Sequence, residues 1–259
     1  MIYLLYVLLV IPVLLGVCVV RAVLGKKTQP PARSFDGYSD DDLAYAEKLS
    51  EMIRYKTIAT DVGGEQAQFD ALREKLGTLF PVFFSRVEDI RIDGAYLWKI
   101  KGKTSGKSAL MLAHCDIVEA EGEWEIPPFD GVIKDGVVHG RGAFDNKGML
   151  CAVLSAAERL LEDGFTPQHD IYVASTQNEE TSSAGIFRCR DYFEQNGIAL
   201  DSILDEGGAI TCDVMPGIKN DMAMVGLCEK GYMDMRFTIR GSGGHRFSGR
   251  PACRPMSLL

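Results

Sequence analysis

Residues 1–20 carry no charge, and the chain changes character directly after them. At about 1.5 Å per residue a helix of that length reaches about 30 Å, the thickness of a bilayer's hydrocarbon core, so the stretch is predicted to be a membrane-spanning helix. No Lys or Arg precedes the apolar run and no A-x-A cleavage site follows it, which favours an uncleaved anchor over a secretory leader. The run K-K-T-Q-P-P-A-R-S that follows has Pro30 and Pro31 and no apolar periodicity, and it reads as a stiff, solvated linker.

From Ser39 the pattern becomes periodic. S-D-D-D opens a capped helix whose Leu43, Ala46, Leu49 and Ile53 share one face, running to about residue 55. Phe69, Leu72, Leu76 and Leu79 mark a second helix, stopped by Pro81. Short apolar runs then alternate with longer amphipathic ones. Strands are predicted at 96–100, 109–113, 171–175 and 202–204, and helices at 148–163 and 184–196, closed by Gly164 and Gly197. This alternation predicts an α/β fold: a mixed, largely parallel sheet with helices on both faces. Farther on, Met233, Met235, Phe237 and Ile239 alternate with Tyr232, Asp234, Arg236 and Thr238, the period of a half-buried strand that opens a new unit near Gly231.

Composition narrows the picture. At 46% apolar and 25% charged residues, wholesale disorder is excluded. The net charge is −8, and the first 34 residues hold four basic and no acidic groups; the remaining 24 basic and 36 acidic residues leave the body at −12. Such a body repels a phosphate backbone, so no nucleic-acid partner is expected. The basic residues Arg21, Lys26, Lys27 and Arg33 all follow the apolar stretch, which by the positive-inside rule makes this a single-pass membrane protein with a cytoplasmic body. Seven cysteines, Cys18, Cys115, Cys151, Cys189, Cys212, Cys228 and Cys253, are odd in number and include no C-x-x-C pair, as expected of free thiols in a reducing compartment.

Candidate chemistry falls where predicted strands stop, the edge at which open α/β sheets bind ligands. A-L-M-L-A runs into His114-Cys115-Asp116, where an imidazole binds a metal through one ring nitrogen while a carboxylate holds the other. G-R-G-A-F-D-N-K-G, residues 140–148, presents Asp145 just before a helix; capping that helix is the simpler job for it. Asn178-Glu179-Glu180 follows I-Y-V-A-S, and Asp205-Glu206 follows the strand at 202–204. One imidazole and four or five carboxylates, without the thiolates of a structural zinc site, suit catalytic zinc, cobalt or manganese. So many carboxylates in one crevice repel one another unless cations sit among them, and a two-metal hydrolase follows.

A-H-C-D-I-V, W-E-I-P-P-F-D-G at 124–131, D-G-V-V-H-G-R-G-A-F-D-N-K-G at 135–148, N-E-E-T, L-D-E-G-G, and E-K-G-Y with G-S-G-G-H at His245 together resemble the acetylornithine deacetylase, succinyl-diaminopimelate desuccinylase, aminoacylase and carboxypeptidase S family of di-zinc metallopeptidases. The W-E-x-P-P-F block and D-E-G-G look most like the carboxypeptidase S branch. The resemblance implies that His114 binds one metal and Asp116 orients it, that Asp145 bridges two Zn2+ ions (with Co2+ or Mn2+ as substitutes), that Glu180 binds the other ion and that Glu179 is the general base. One acid of Asp205 and Glu206, with Asp205 favoured, completes the first ion's shell. It implies further that a hydroxide between the ions attacks the amide bond of a small peptide or N-acyl amino acid, and that His245 reaches a substrate's oxyanion, across a homodimer in dimeric members. The expected division is an anchor at 1–24, a linker at 25–38, the catalytic domain at 39–230 and, at 231–259, the first strand of a truncated lid domain. On that reading the 259-residue chain is an incomplete form with little activity of its own, and the alternative is a catalytically silent or regulatory relative that keeps the fold.

Three features take plain readings. G-K-T-S-G-K-S at 102–108 has three residues between its glycines where a phosphate loop has four, and reads as a basic hairpin turn. Cys115 reads as a small strand-end residue. His139 and His169 lack acidic partners at ligand spacing.

Overall fold

A computed structural model describes residues 2–24, 37–59, 65–207, 210–211, 221–226 and 235. The first helix, α1 (Ile2–Leu24), covers the apolar stretch, with Pro12 inside it. Its large apolar side chains between Val10 and Val20 are each 48–60% exposed, so none of the described residues covers them. Side chains of α1 are described only at residues 10–21 and 24, and among the described residues no helix is long and apolar enough to cross a membrane. The predicted span thus has the expected helical backbone, while its membrane role rests on the sequence alone.

The body opens with α2 (Asp40–Ile53), where Ser39 Oγ accepts from the Asp42 N–H at 3.2 Å and the Asp42 carboxylate accepts from the Ser39 N–H at 2.8 Å. This is the reciprocal cap that S-D-D-D predicts. Next comes α3 (Gln66–Leu79), with Phe69, Leu72 and Leu76 buried. Pro81 does end it, but it also begins α4 (Pro81–Arg86), since a proline at the first helical position loses no intrahelical bond. Glu158, a buried acid that sequence periodicity passed over, accepts from the Val82 N–H at 3.0 Å and the Phe83 N–H at 2.5 Å, satisfying the start of α4.

Strands β1 (Glu88–Ile92), β2 (Ala95–Ile100), β3 (Ser108–His114), β6 (Ile171–Thr176) and β7 (Leu200–Leu204) form one sheet in the order β1-β2-β6-β3-β7. The hairpin of β4 (Val132–Lys134) and β5 (Val137–His139) stands apart, as does the short pair β8 (Ile210–Thr211) and β9 (Met222–Ala223). Pairing is parallel for β6-β3 and β3-β7 and antiparallel for β1-β2 and β2-β6, so the sheet is mixed. Helix α5 (Lys147–Glu162) joins α2, α3 and α4 on one face, over Tyr96, Trp98, Ile100, Ala113 and Val173. On the other face α6 (Ala184–Gln195) packs Cys189 and Phe193 against Leu97, Leu110, Tyr172 and Ala174. Helices therefore cover both faces.

The basic segment 101–107 is not a hairpin turn. It connects β2 to β3, which are separated by β6, and straps across the approach to β6: the Lys103 and Thr104 N–H groups donate to the carbonyls of Pro167 and Gln168, both at 3.0 Å. The β4-β5 hairpin closes on Asp135-Gly136, both at positive φ (52° and 75°), the turn that an Asp-Gly pair favours. The predicted strand at 232–240, apart from Met235, and His245 lie outside the described residues.

Candidate metal centre

Parallel strands β3, β6 and β7 end at the same edge of the sheet, and the acids and the histidine follow them. His114 is the last residue of β3 and is buried. Its Nε2 lies 2.9 Å from Asp145 Oδ1, 3.2 Å from Glu206 Oε2 and 4.0 Å from Glu179 Oε2. Its other nitrogen, Nδ1, faces the Asp116 backbone carbonyl at 3.0 Å, with Asp116 Oδ1 at 3.5 Å. Asp116 is fully buried, and its second oxygen accepts from the Glu180 N–H at 3.0 Å. One carboxylate thus ties the end of β3 to the loop that follows β6.

Among the described residues, two groups of donors cluster within 4.8 Å: His114, Asp145 and Glu180, and His114, Glu179 and Glu206. The member common to both is His114; Asp145 belongs to one. Of the acidic pair after β7, Glu206 reaches His114, whereas Asp205 lines the same cleft and its Oδ1 accepts from the Glu206 N–H at 2.8 Å. Asp145 does not cap α5. The helix starts from Asn146 without a side-chain cap, and the Asp145 carboxylate is turned to the imidazole.

Charge follows from this crowding. Burial works against a proton on His114, but hydrogen bonds and charge from Asp116 and Glu206 outweigh it and push the imidazole pKa up to about 11. Burial, then the charge of Asp145, raises the Glu180 carboxyl. Burial raises Glu179 too, with Glu206 and Glu180 adding to it and His114 opposing. One imidazole among the carboxylates of Asp145, Glu179, Glu180 and Glu206 is a donor set that fits a divalent ion of the zinc, cobalt or manganese kind.

The cleft over these residues measures about 150 Å³ and is lined by Leu112, Thr176, Ser183 and Ile186 beside the acids. It has room for a reacting centre but is smaller than the several hundred Å³ of ordinary small-molecule sites. A larger groove of about 610 Å³ beside α2 and β4 holds none of the candidate residues, so size does not mark the chemistry here. Cys115 is buried, its Sγ donates to the Thr176 carbonyl at 3.2 Å, and burial raises its thiol to about 12; it is no nucleophile.

Three supporting residues escaped the sequence reading. The Asn146 amide donates to the Glu206 carboxylate. The Thr57 hydroxyl donates to the Cys115 carbonyl at 2.6 Å. The Lys147 ammonium, fully buried, donates to the Met52 and Tyr55 carbonyls, and burial lowers its pKa to about 8. A signal for Lys147 was present: a cation in the first turn of a helix opposes the helix dipole and calls for another reason to be there.

Residues 110–238 match the family described as peptidase family M20/M25/M40. The chain is similar to human N-fatty-acyl-amino acid synthase/hydrolase PM20D1, 31% identical over 80% of this chain and 42% of the relative. It is also similar to probable carboxypeptidase S-like 2 of Dictyostelium discoideum, 34% identical over 82% of this chain and 43% of the relative. The chain thus spans less than half the length of either. In fold it resembles a metallo-carboxypeptidase of the M20 family from Sulfolobus solfataricus, at 25% identity and a TM-score of 0.51 over 66% of this chain and 38% of that one. Human carnosine dipeptidase 1, at 17% identity and a TM-score of 0.54 over 66% of this chain and 40% of that one, shares the fold.

Proposed function

The chain belongs to peptidase family M20/M25/M40, and from that premise we propose that its residues build a two-metal centre, zinc first, for hydrolysing amide bonds in small peptides or N-acyl amino acids. The observation that carries this is the gathering of Asp145, Glu179 and Glu206 around His114 Nε2, with Glu180 completing one of the two donor groups. His114 and Glu206 would hold one ion, Glu180 the other, and Asp145 would lie between them. Bound divalent ions supply Lewis acidity, which polarises an amide carbonyl and acidifies water.

The chain's own residues do the rest. Asp116 fixes the imidazole and the Glu180 loop together. Glu179, whose carboxyl pKa burial raises, takes a proton from water and gives it to the leaving nitrogen. Leu112 and Ile186 place apolar surface beside the reacting centre. His245 is assigned to the substrate's oxyanion by resemblance alone.

Because the chain spans less than half of either relative, activity is proposed for the longest product that carries these residues, and the 259-residue chain is expected to bind metal with little turnover. The assay is a panel of N-acyl amino acids and dipeptides, with and without chelator. Hydrolysis that chelator abolishes and zinc restores supports the assignment; no hydrolysis of any member by that product overturns it.

The same proposal includes the division at residues 24, 38 and 230, and an anchor at 1–24 that leaves the body on the cytoplasmic side. Its support is an apolar helix whose described side chains stand exposed. Intact protein should stay with membranes through carbonate extraction, and a form lacking residues 1–31 should be released. Release of the intact protein would remove the anchor.

A further inference from the structure

We propose that residues 52–58 form a splint that sets the spacing between His114 and Asp145, with Lys147 and Thr57 as its positioning residues. This rests on the reading of His114 and Asp145 as metal ligands. The two lie 31 positions apart, on the end of β3 and on the loop before α5, and one short segment is bonded to both supports. On one side the Thr57 hydroxyl donates to the Cys115 carbonyl at 2.6 Å, the Ile117 N–H donates to the Thr57 carbonyl at 3.0 Å, and Ile58 pairs with Ile117 as an isolated parallel bridge. These bonds bracket Asp116 and follow directly on His114.

On the other side the Lys147 ammonium donates to the Met52 carbonyl at 3.2 Å and the Tyr55 carbonyl at 2.5 Å, at the exit of α2. Its backbone N–H donates to the Gly142 carbonyl at 3.0 Å, which closes the turn that holds Asp145. The two sides also touch: a Cβ on Gly142, which sits at φ +83°, would meet Ile117 Cγ2 at 2.7 Å. Neither positioning residue is among the donors around the imidazole.

Packing alone does not account for the lysine. A methionine fills a similar channel without the cost of desolvating an ammonium. What the ammonium adds is direction, since it points two carbonyls of the α2 exit at the loop that carries Asp145. Fixed supports of this kind are what hold metal ligands at productive spacing.

The test is Co2+ titration of the 259-residue chain against a competing chelator, read with the visible absorption of bound Co2+ and far-UV circular dichroism at low temperature. Lys147→Met and Thr57→Val are expected to weaken Co2+ binding by about 10–100-fold and to alter the Co2+ bands while the dichroism is kept. Glu158→Gln, which loosens α4 away from the site, is expected to lower stability and leave affinity within about twofold. Should Lys147→Met not fold, Thr57→Val, which removes one hydroxyl, carries the comparison. Folded variants that bind Co2+ within about twofold of the parent, or a Glu158→Gln loss as large as theirs, would overturn the splint and leave the metal reading standing. No Co2+ binding by the parent overturns the metal reading and the splint with it.

Discussion

Glu179→Gln, in the longest product that carries these residues, keeps its metal and lowers amide hydrolysis by about 10²–10⁴-fold, the range that a positioned general base contributes. The amide side chain has nearly the shape of the carboxylate and cannot take a proton from water. Glu179 lies 4.0 Å from His114 Nε2, farther than Asp145 or Glu206, so its loss removes less from the donor set than theirs would. The check is kcat with saturating substrate beside elemental analysis of the same preparation. Metal kept with kcat within about tenfold of the parent would take the role of base from Glu179. Metal lost together with activity would make it a ligand.

The site was legible in the sequence for a physical reason. Strands that stop together place His114, Glu179, Glu180 and Glu206 at one edge, Asp145 joins them from the loop before α5, and all five are chemically conspicuous. The order of the Asp205-Glu206 pair says nothing about which side chain turns inward; Asp205 was slightly favoured by resemblance, and in the structure Glu206 reaches the imidazole while Asp205 lines the same cleft. Thr57 and Lys147 were hidden because their partners are backbone carbonyls, which carry no sequence signature, and Lys147 bonds residues 92 and 95 positions away.

The fold divides in the same way. Capping at Ser39 and the closing glycines at 164 and 197 are local chemistry, and both were readable. The order of strands is not local. Segment 101–107 looked like a hairpin because consecutive strands usually pair, yet β6 inserts between β2 and β3. Strand β1, E-D-I-R-I, was missed because it is an edge strand with three charged residues and buries little beyond Ile90. The β4-β5 hairpin had its signal in Asp135-Gly136, yet no strand was predicted there, because its two strands are only three residues each.

The second large effect is on the metal itself. His114 is common to both donor groups, so His114→Ala is expected to reduce metal affinity by more than the roughly 100-fold that marks the loss of an outer support. It also removes the imidazole that faces the fully buried Asp116 carboxylate at 3.5 Å, a loss of the kind that costs about 3–5 kcal/mol in buried pairs, so the metal-free variant should be less stable as well. Asp145→Ala should weaken binding while leaving Asp116 paired with His114. Because burial of the imidazole is outweighed by the hydrogen bonds and charge of Asp116 and Glu206, which raise its pKa in the metal-free chain, a divalent ion must displace a proton to bind it. Affinity is therefore expected to rise with pH by about tenfold per unit near neutrality, the dependence of one proton released per ion bound.

Calorimetric titration of Zn2+ into the metal-stripped 259-residue chain at pH 7, repeated in buffers of different ionisation enthalpy, tests the centre most directly. The expected result is saturable binding that releases about one proton per first ion and is abolished in His114→Ala. No saturable uptake, or uptake undiminished in His114→Ala, would contradict a metal centre built on this histidine.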